Sequence, residues 1–252
     1  MGGGTGMRRS HYGADRTDTM KRGLLEQAIK ARDAKRSSVL VRGLKGGARF
    51  LVDGNQVFGN VPSTLNGLLE HAKNALNKDG SQAVEFSGET YLIQTLAGPR
   101  RLLIIGAVHI AQKLIPMAMI AGYEVQLIDP RKAFASSERF PGINILNDWP
   151  HEVMKTLQLD SRTAVVTLSH DAKIDEPALQ SALESRAFYI GALGSQKNHT
   201  KRIQRLAALG FDEKALARIA GPVGLPLGGR SPAEIAVAIL AQIIQAVYQQ
   251  NR

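Results

Sequence analysis

Apolar positions fall into two rhythms along this chain. In the first part, Leu24, Leu25, Ala28 and Ile29 share one helical face in a helix ending near Ala34, and Ser38 to Leu44 is a short β-branched run. Ala48 to Asn60 sets Asp53-Gly54 between Phe50-Leu51-Val52 and Val57-Phe58, a hairpin pattern. Leu65, Leu68, Leu69, Ala72 and Leu76 then mark an amphipathic helix, and Val84-Glu85-Phe86 and Tyr91-Leu92-Ile93 flank Ser87-Gly88-Glu89 as a second hairpin. The pattern predicts a small α+β domain over residues 21–98. Residues 1–20 are Gly-, Arg- and Asp-rich with no apolar period, which predicts a disordered leader.

After Gly98-Pro99 short apolar runs alternate with helical periods. The expected strands are Leu102–Ile105, Glu124–Asp129, Ile143–Leu146, Thr163–Leu168 and Phe188–Ala192. The expected helices are His109–Ala121, Pro150–Leu157, Pro177–Glu184, Lys197–Leu209 and Pro232–Tyr248. This alternation predicts an α/β domain over 99–252, a Rossmann-like parallel sheet with helices on both faces.

Composition bounds the chemistry. The 252 residues are 44% hydrophobic and 21% charged, enough apolar material for a core. There are no cysteines, so disulfides, thiolate metal sites and cysteine catalysis are excluded for this chain. No His/Asp/Glu spacing suggests a metal site. The start lacks the apolar middle of a secretory signal. The longest apolar stretch, Ile235 to Val247, is broken by Gln242 and Gln245 and reads as too short to span a membrane. A cytoplasmic protein is expected. Of the net charge of +10, +8 lies in residues 1–50, with 12 Lys/Arg against 4 Asp/Glu. That region reads either as a solvated surface or as a meeting place for a phosphate-bearing cofactor or an acidic partner. No nucleic-acid-binding motif accompanies it, so nucleic acid is not expected.

Four clusters carry candidate chemistry. The turn Gly106-Ala107-Val108-His109 leaves the first strand of the second domain and opens a helix whose N–H groups can hold a phosphate. Ala111 satisfies the last position of G-x-G-x-x-G/A, but Val108 replaces the middle glycine where a pyrophosphate would approach. Asp129, 23 positions after Gly106, is near the spacing of a carboxylate that accepts a ribose hydroxyl, and Arg131 beside it could pair with a phosphate. The second cluster, Ser169-His170-Asp171, ends the fourth strand, on the edge where open α/β sheets bind ligands; a capping role for Asp175 before Pro177 is the structural alternative. The third, Gly194-Ser195 with Lys197, reads equally as a second phosphate cradle or as a turn with Ser195 as N-cap. The fourth is the Gly- and Pro-rich loop Gly221–Glu234, in which Ser231 and Glu234 make a capping box and Arg230 is harder to explain as structure.

Taken together these clusters resemble the XdhC/CoxI family, the xanthine dehydrogenase accessory proteins. Leu102-Leu-Ile-Ile-Gly-Ala-Val-His-Ile-Ala111 is similar to the family's LLIFGAGHVA, Asp129-Pro-Arg131 to DPR and Arg139-Phe-Pro141 to RFP. Ser169-His-Asp171 with Asp175-Glu-Pro-Ala-Leu179 resembles THD…DEPAL. Tyr189-Ile-Gly-Ala-Leu-Gly-Ser195 resembles YIGLLGS, and Gly224-Leu225 with Gly229-Arg-Ser-Pro-Ala-Glu-Ile-Ala236 resembles IGL…GARTPEEIA.

The resemblance implies a two-domain cytoplasmic protein, usually a homodimer. Such a protein binds molybdenum cofactor (molybdopterin) as cargo and assists its insertion into a molybdenum hydroxylase such as xanthine dehydrogenase, as a non-catalytic chaperone. Its cofactor site would comprise Gly106, Ala107, Val108, His109, Asp129, Arg131, Ser169, His170, Asp171, Gly194, Ser195, Lys197 and Arg230. The chain departs from the pattern in three places. It lacks the cysteine of the family's GGCVE motif, it has Val108 for a glycine, and it has Ala172 where many members carry a second histidine. An NAD(P)-dependent oxidoreductase on the same fold, or a ligand-free docking protein for a molybdoenzyme, are the alternatives.

Overall fold

The computed structural model describes residues 16–34, 36–45, 48–61, 63–76, 80–157 and 159–249, with side chains from Arg22 on. The chain divides into two compact units, 1–98 and 99–252.

In the first unit, α1 (Arg16–Asp33) and α2 (Asn66–Ala75) accompany five antiparallel strands: β1 (Ser38–Gly43), β2 (Arg49–Asp53), β3 (Gln56–Gly59), β4 (Ser81–Phe86) and β5 (Glu89–Leu96). Their order is β3-β2-β1-β5-β4. The two-residue period of the strands sorts the side chains. Val39, Val41, Phe50 and Val52 face a core shared with Leu68 and Ala72 of α2, while Leu51 packs with Leu24 and Ala28 of α1. The helix reaches back to Arg16, so residues 16–20 are helical rather than part of a disordered leader. Residues 1–15 of that expected leader lie outside the described residues.

The second unit begins with β6 (Arg100–Ile105), α3 (His109–Ile120), β7 (Tyr123–Ile128), β8 (Asn144–Leu146), α4 (Pro150–Thr156) and β9 (Thr163–Thr167). It continues through α5 (Ala172–Leu183), β10 (Tyr189–Ala192), α6 (Gln196–Ala208), α7 (Glu213–Leu216), β11 (Ile219–Ala220) and α8 (Pro232–Gln249). The six strands pair in parallel in the order β11-β10-β9-β6-β7-β8. Counted within the unit and read from β8, this is the Rossmann order 3-2-1-4-5-6. Leu102 to Ile105 of β6 are fully buried, each worth about 1.5–3 kcal/mol relative to exposure. Leu102 and Ile104 face a core with α3 and α8, and Leu103 and Ile105 face a second core with α5.

The structure differs from the sequence pattern at three further places. β11 and α7 are absent from the sequence reading because two and four residues are too few to show a period. α5 starts at Ala172, not Pro177: Asp171 is the N-cap, its side chain accepting from the Lys173 N–H at 2.9 Å, and Pro177 sits inside the helix. α8 is long and apolar enough to cross a membrane by length and composition, despite Gln242 and Gln245. In this fold one of its faces, with Ala236, Ile239, Ile243 and Val247, joins the α3 core.

Candidate functional site

Strand order reverses between β6 and β9, and the loops leaving their carboxyl ends meet there. The Leu168 N–H donates to Ile105 O at 2.7 Å, and the Gly106 N–H donates to Ile128 O at 2.9 Å. Gly106 has φ +109, and a Cβ on it would lie 2.7 Å from Ser169 N. Only glycine supplies both that backbone conformation and that closeness. The first and second clusters therefore press together at the switch point, the crevice where such sheets hold ligands.

The chain then enters α3 through Val108, an extended N-cap without a side-chain capping bond. The first turn of α3 carries no acidic residue, so no side chain of its own neutralises the positive end of the helix. His109 is exposed at the first helical position. Val108 is half-buried and packs against the α3 core. Val108→Gly is expected to lower stability by about 1–2 kcal/mol, from lost packing and a freer unfolded chain. Chemical denaturation measures it, and an unchanged or raised stability would show that the side chain is not part of the core.

Asp129 is fully buried. Its Oδ2 accepts from the Ala107 N–H at 2.8 Å and from Arg131 Nη2 at 2.8 Å, and its Oδ1 accepts from the Arg131 N–H and Nε, both at 2.9 Å. Burial alone would raise its pKa, but the Arg131 side chain and the Ala107 and Arg131 N–H groups outweigh it and hold the carboxyl below its ordinary value. The carboxylate that the spacing offered to a ribose is therefore spent inside the protein, tying β7 to the first turn. Arg131 is correspondingly committed to Asp129, with its guanidinium 4.7 Å from the centre of the Phe134 ring. Arg139, to which the sequence reading gave no role, supports the same turn: its Nη1 donates to Ala107 O at 3.2 Å.

The second cluster is held from below. The Ser169 Oγ donates to Asp175 Oδ1 at 2.7 Å, the Ser169 N–H donates to the same oxygen at 3.2 Å, and the Asp171 N–H donates to Ser169 Oγ at 3.1 Å. This brace sets exposed His170 at φ +62, a left-handed conformation rare outside glycine. Asp171 and Asp175 both act electrostatically on Arg131, so the first two clusters share one field.

Burial pushes the Asp175 carboxyl up to about 6, against the opposing pull of the Ser169 bonds and the charges of Arg202 and His170. A raised folded pKa makes this group stabilising when protonated. Its contribution is full below about pH 4 and is lost as the pH rises through about 6, on the order of 3 kcal/mol. Asp175→Asn is expected to remove that slope, measured by urea unfolding across the interval. A variant with the wild-type slope would exclude Asp175 as its source.

The third cluster lies beside the second, since β10 pairs with β9 and the Leu193 N–H donates to Thr167 O at 2.9 Å. Gly194 has φ +145, and the Ser195 Oγ accepts from the Asn198 N–H at 3.3 Å, the N-cap alternative of the sequence reading. Lys197 is exposed. In the fourth cluster Glu234 Oε2 accepts from the Ser231 N–H at 2.9 Å and Ser231 Oγ accepts from the Glu234 N–H at 3.3 Å, a reciprocal cap. Arg230 is exposed in that loop, and its N–H also donates to Glu234.

Sequence reasoning missed Asp175 and Arg202 as buried charges. A signal for Arg202 existed: it stands on the inward stripe of α6 with Leu206, where the helical period calls for an apolar residue.

The strand order, with its reversal between β6 and β9, defines a Rossmann-type domain. Residues 102–243 match the XdhC Rossmann domain, more than half of the sequence, and the chain belongs to the XdhC/CoxI family. It is 34% identical over 151 residues to the molybdenum cofactor insertion chaperone PaoD of Escherichia coli K12, covering 60% of this chain and 41% of PaoD. It is 30% identical over 154 residues to a probable xanthine dehydrogenase subunit of Bacillus subtilis 168, covering 61% of this chain and 44% of that protein. The chain thus spans less than half the length of these curated relatives. A crystal structure from Bacillus halodurans, described as a xanthine dehydrogenase, is similar in fold with a TM-score of 0.66 at 23% identity, covering 90% of this chain and 65% of that one.

Proposed function

We propose that this protein binds molybdenum cofactor as cargo and assists its insertion into a molybdenum hydroxylase such as xanthine dehydrogenase. The observation that carries the reading is the switch-point crevice. There, in a member of this family, the uncapped N-terminus of α3 and the Ser169–Asp171 loop meet with Gly106 pressed between them. An anionic end of the cargo would lie on the first-turn N–H groups of α3, after Gly106, Ala107, Val108 and His109. His170 and Asp171, both exposed, would contact its other end. Asp129 and Arg131 act in this reading as the brace of the turn. The name of the PaoD relative supports the same role. The reading includes a cytoplasmic homodimer and no catalytic step.

Saturation of Asp129 by Ala107 and Arg131 weighs against the nicotinamide alternative. The test is equilibrium binding of the full chain to molybdenum cofactor released from a molybdoenzyme, beside titrations with NAD(H) and NADP(H), followed by reactivation of a cofactor-free xanthine dehydrogenase. Cofactor binding with faster reactivation is the expected result. Nicotinamide binding with turnover, or no cofactor binding, would overturn the reading.

A further inference from the structure

A cavity of about 200 Å³ opens at the carboxyl edge of β9 and β10, one strand step from the switch point, lined by His170, Asp175, Glu176, Lys201, Arg202 and Arg205 among others. That is room enough for a phosphate-sized group.

Its cations are not equally committed. Arg205 Nε donates to Glu176 Oε1 at 2.6 Å, so these two largely cancel. Lys201 is exposed on the cavity wall. Arg202 is only 6% exposed, and its Nη2 donates to Leu193 O at 2.7 Å, which shapes the turn before Gly194. Its Nη1 is buried with no partner among the described residues. A guanidinium does not shed its proton, so this arm stays a charged donor. Asp175, a buried carboxylate on the same cavity, is already bonded to Ser169, and no hydrogen bond joins it to Arg202 among the described residues. Buried charges of this kind are ordinarily paired or held for a ligand. The Leu193 bond holds one arm of Arg202, and the charges of Asp175 and Glu176 act on its guanidinium, but the other arm has no hydrogen-bond partner among the described residues.

We infer that the cavity between α5 and α6 is an oxyanion site, taking a phosphate-type group against the Arg202 guanidinium with Lys201 as a second cation and His170 at the rim. The ligand chemistry is that of a phosphate monoester or free phosphate. This moves the second phosphate cradle away from the Gly194-Ser195 turn, where Ser195 already caps the helix, to the first two turns of α6.

Inorganic phosphate is the probe, titrated calorimetrically into the full chain in a chloride buffer. One saturable site is expected, lost in Arg202→Met and weakened about tenfold in Lys201→Ala, the loss of one charge-assisted contact. Lys201 is exposed, so its variant keeps the test readable if Arg202→Met fails to fold. No saturable binding, or wild-type affinity in Lys201→Ala, would overturn the inference. A second arm separates the sources. If Lys201→Ala also weakens molybdenum cofactor binding, the group is the cargo's own phosphate; if only inorganic phosphate is affected, the ligand is free phosphate. A wild-type chain that takes phosphate but no cofactor would leave this site standing and remove the proposed cargo.

Discussion

Gly106→Ala is expected to destabilise the α/β unit by several kcal/mol, on the order of 3–5, and to abolish the cofactor binding proposed at the switch point. Two independent costs add. The residue has φ +109, outside the range that side chains tolerate. The new Cβ would also lie 2.7 Å from Ser169 N, 2.9 Å from its Cα and 3.0 Å from its Cβ. These are mainly backbone atoms, and they have nowhere to retreat. Leu168 is tied to Ile105 at 2.7 Å, and Ser169 is bonded through both its N–H and its hydroxyl to buried Asp175. Gly122 provides the control. It has φ +86 and no atom within 4 Å of where a Cβ would stand, so Gly122→Ala should show the conformational cost alone, about 1–2 kcal/mol. Denaturant unfolding of both variants isolates the steric part. Equal losses would mean that the two loops are not in contact.

The contrast between these glycines shows what a sequence carries and what it does not. The run Leu102–Ile105 followed by Gly106 is legible because a fully buried parallel strand is a continuous apolar run and its exit turn is local. The six-strand order is not local, and no pattern within one strand announces that β6 lies between β7 and β9. Asp129 lay at the spacing of a ribose acceptor, yet spacing cannot say whether a carboxylate is free. Here Arg131, two residues on, turns back on it, and the Ala107 N–H arrives from the neighbouring strand end. Pro177 points to a helix start because proline marks helix starts more often than interiors, whereas the cap is Asp171, whose sequence context equally suits a ligand contact. The buried charges Asp175 and Arg202 are the hardest case. Residue type argues for the surface, and only the face each occupies on its helix argues otherwise.

That same saturated carboxylate sets the second large effect. Asp129→Ala should cost about 3 kcal/mol, near the lower end for removal of one partner of a buried ion pair, because Arg131 is one-third exposed and water can take up part of its charge. The loss goes beyond the ion pair. It frees the Ala107 N–H, removes the link between β7 and the turn after β6, and leaves buried donors without an acceptor. Asp129→Asn should cost less, since one amide oxygen can still accept from Ala107, although its NH2 then confronts the donors of Arg131. The pH dependence separates this pair from Asp175. A folded pKa below the unfolded value means that the Asp129 contribution is present above the ordinary carboxylate pKa and is lost as the pH falls through the lowered one. Wild type should therefore lose stability at the acid extreme through Asp129, below the interval in which protonation of Asp175 adds stability. Unfolding curves of Asp129→Ala should lack the acid loss and keep the Asp175 slope. If the acid limb of the variant matches wild type, Asp129 is not the group that anchors the Gly106 turn.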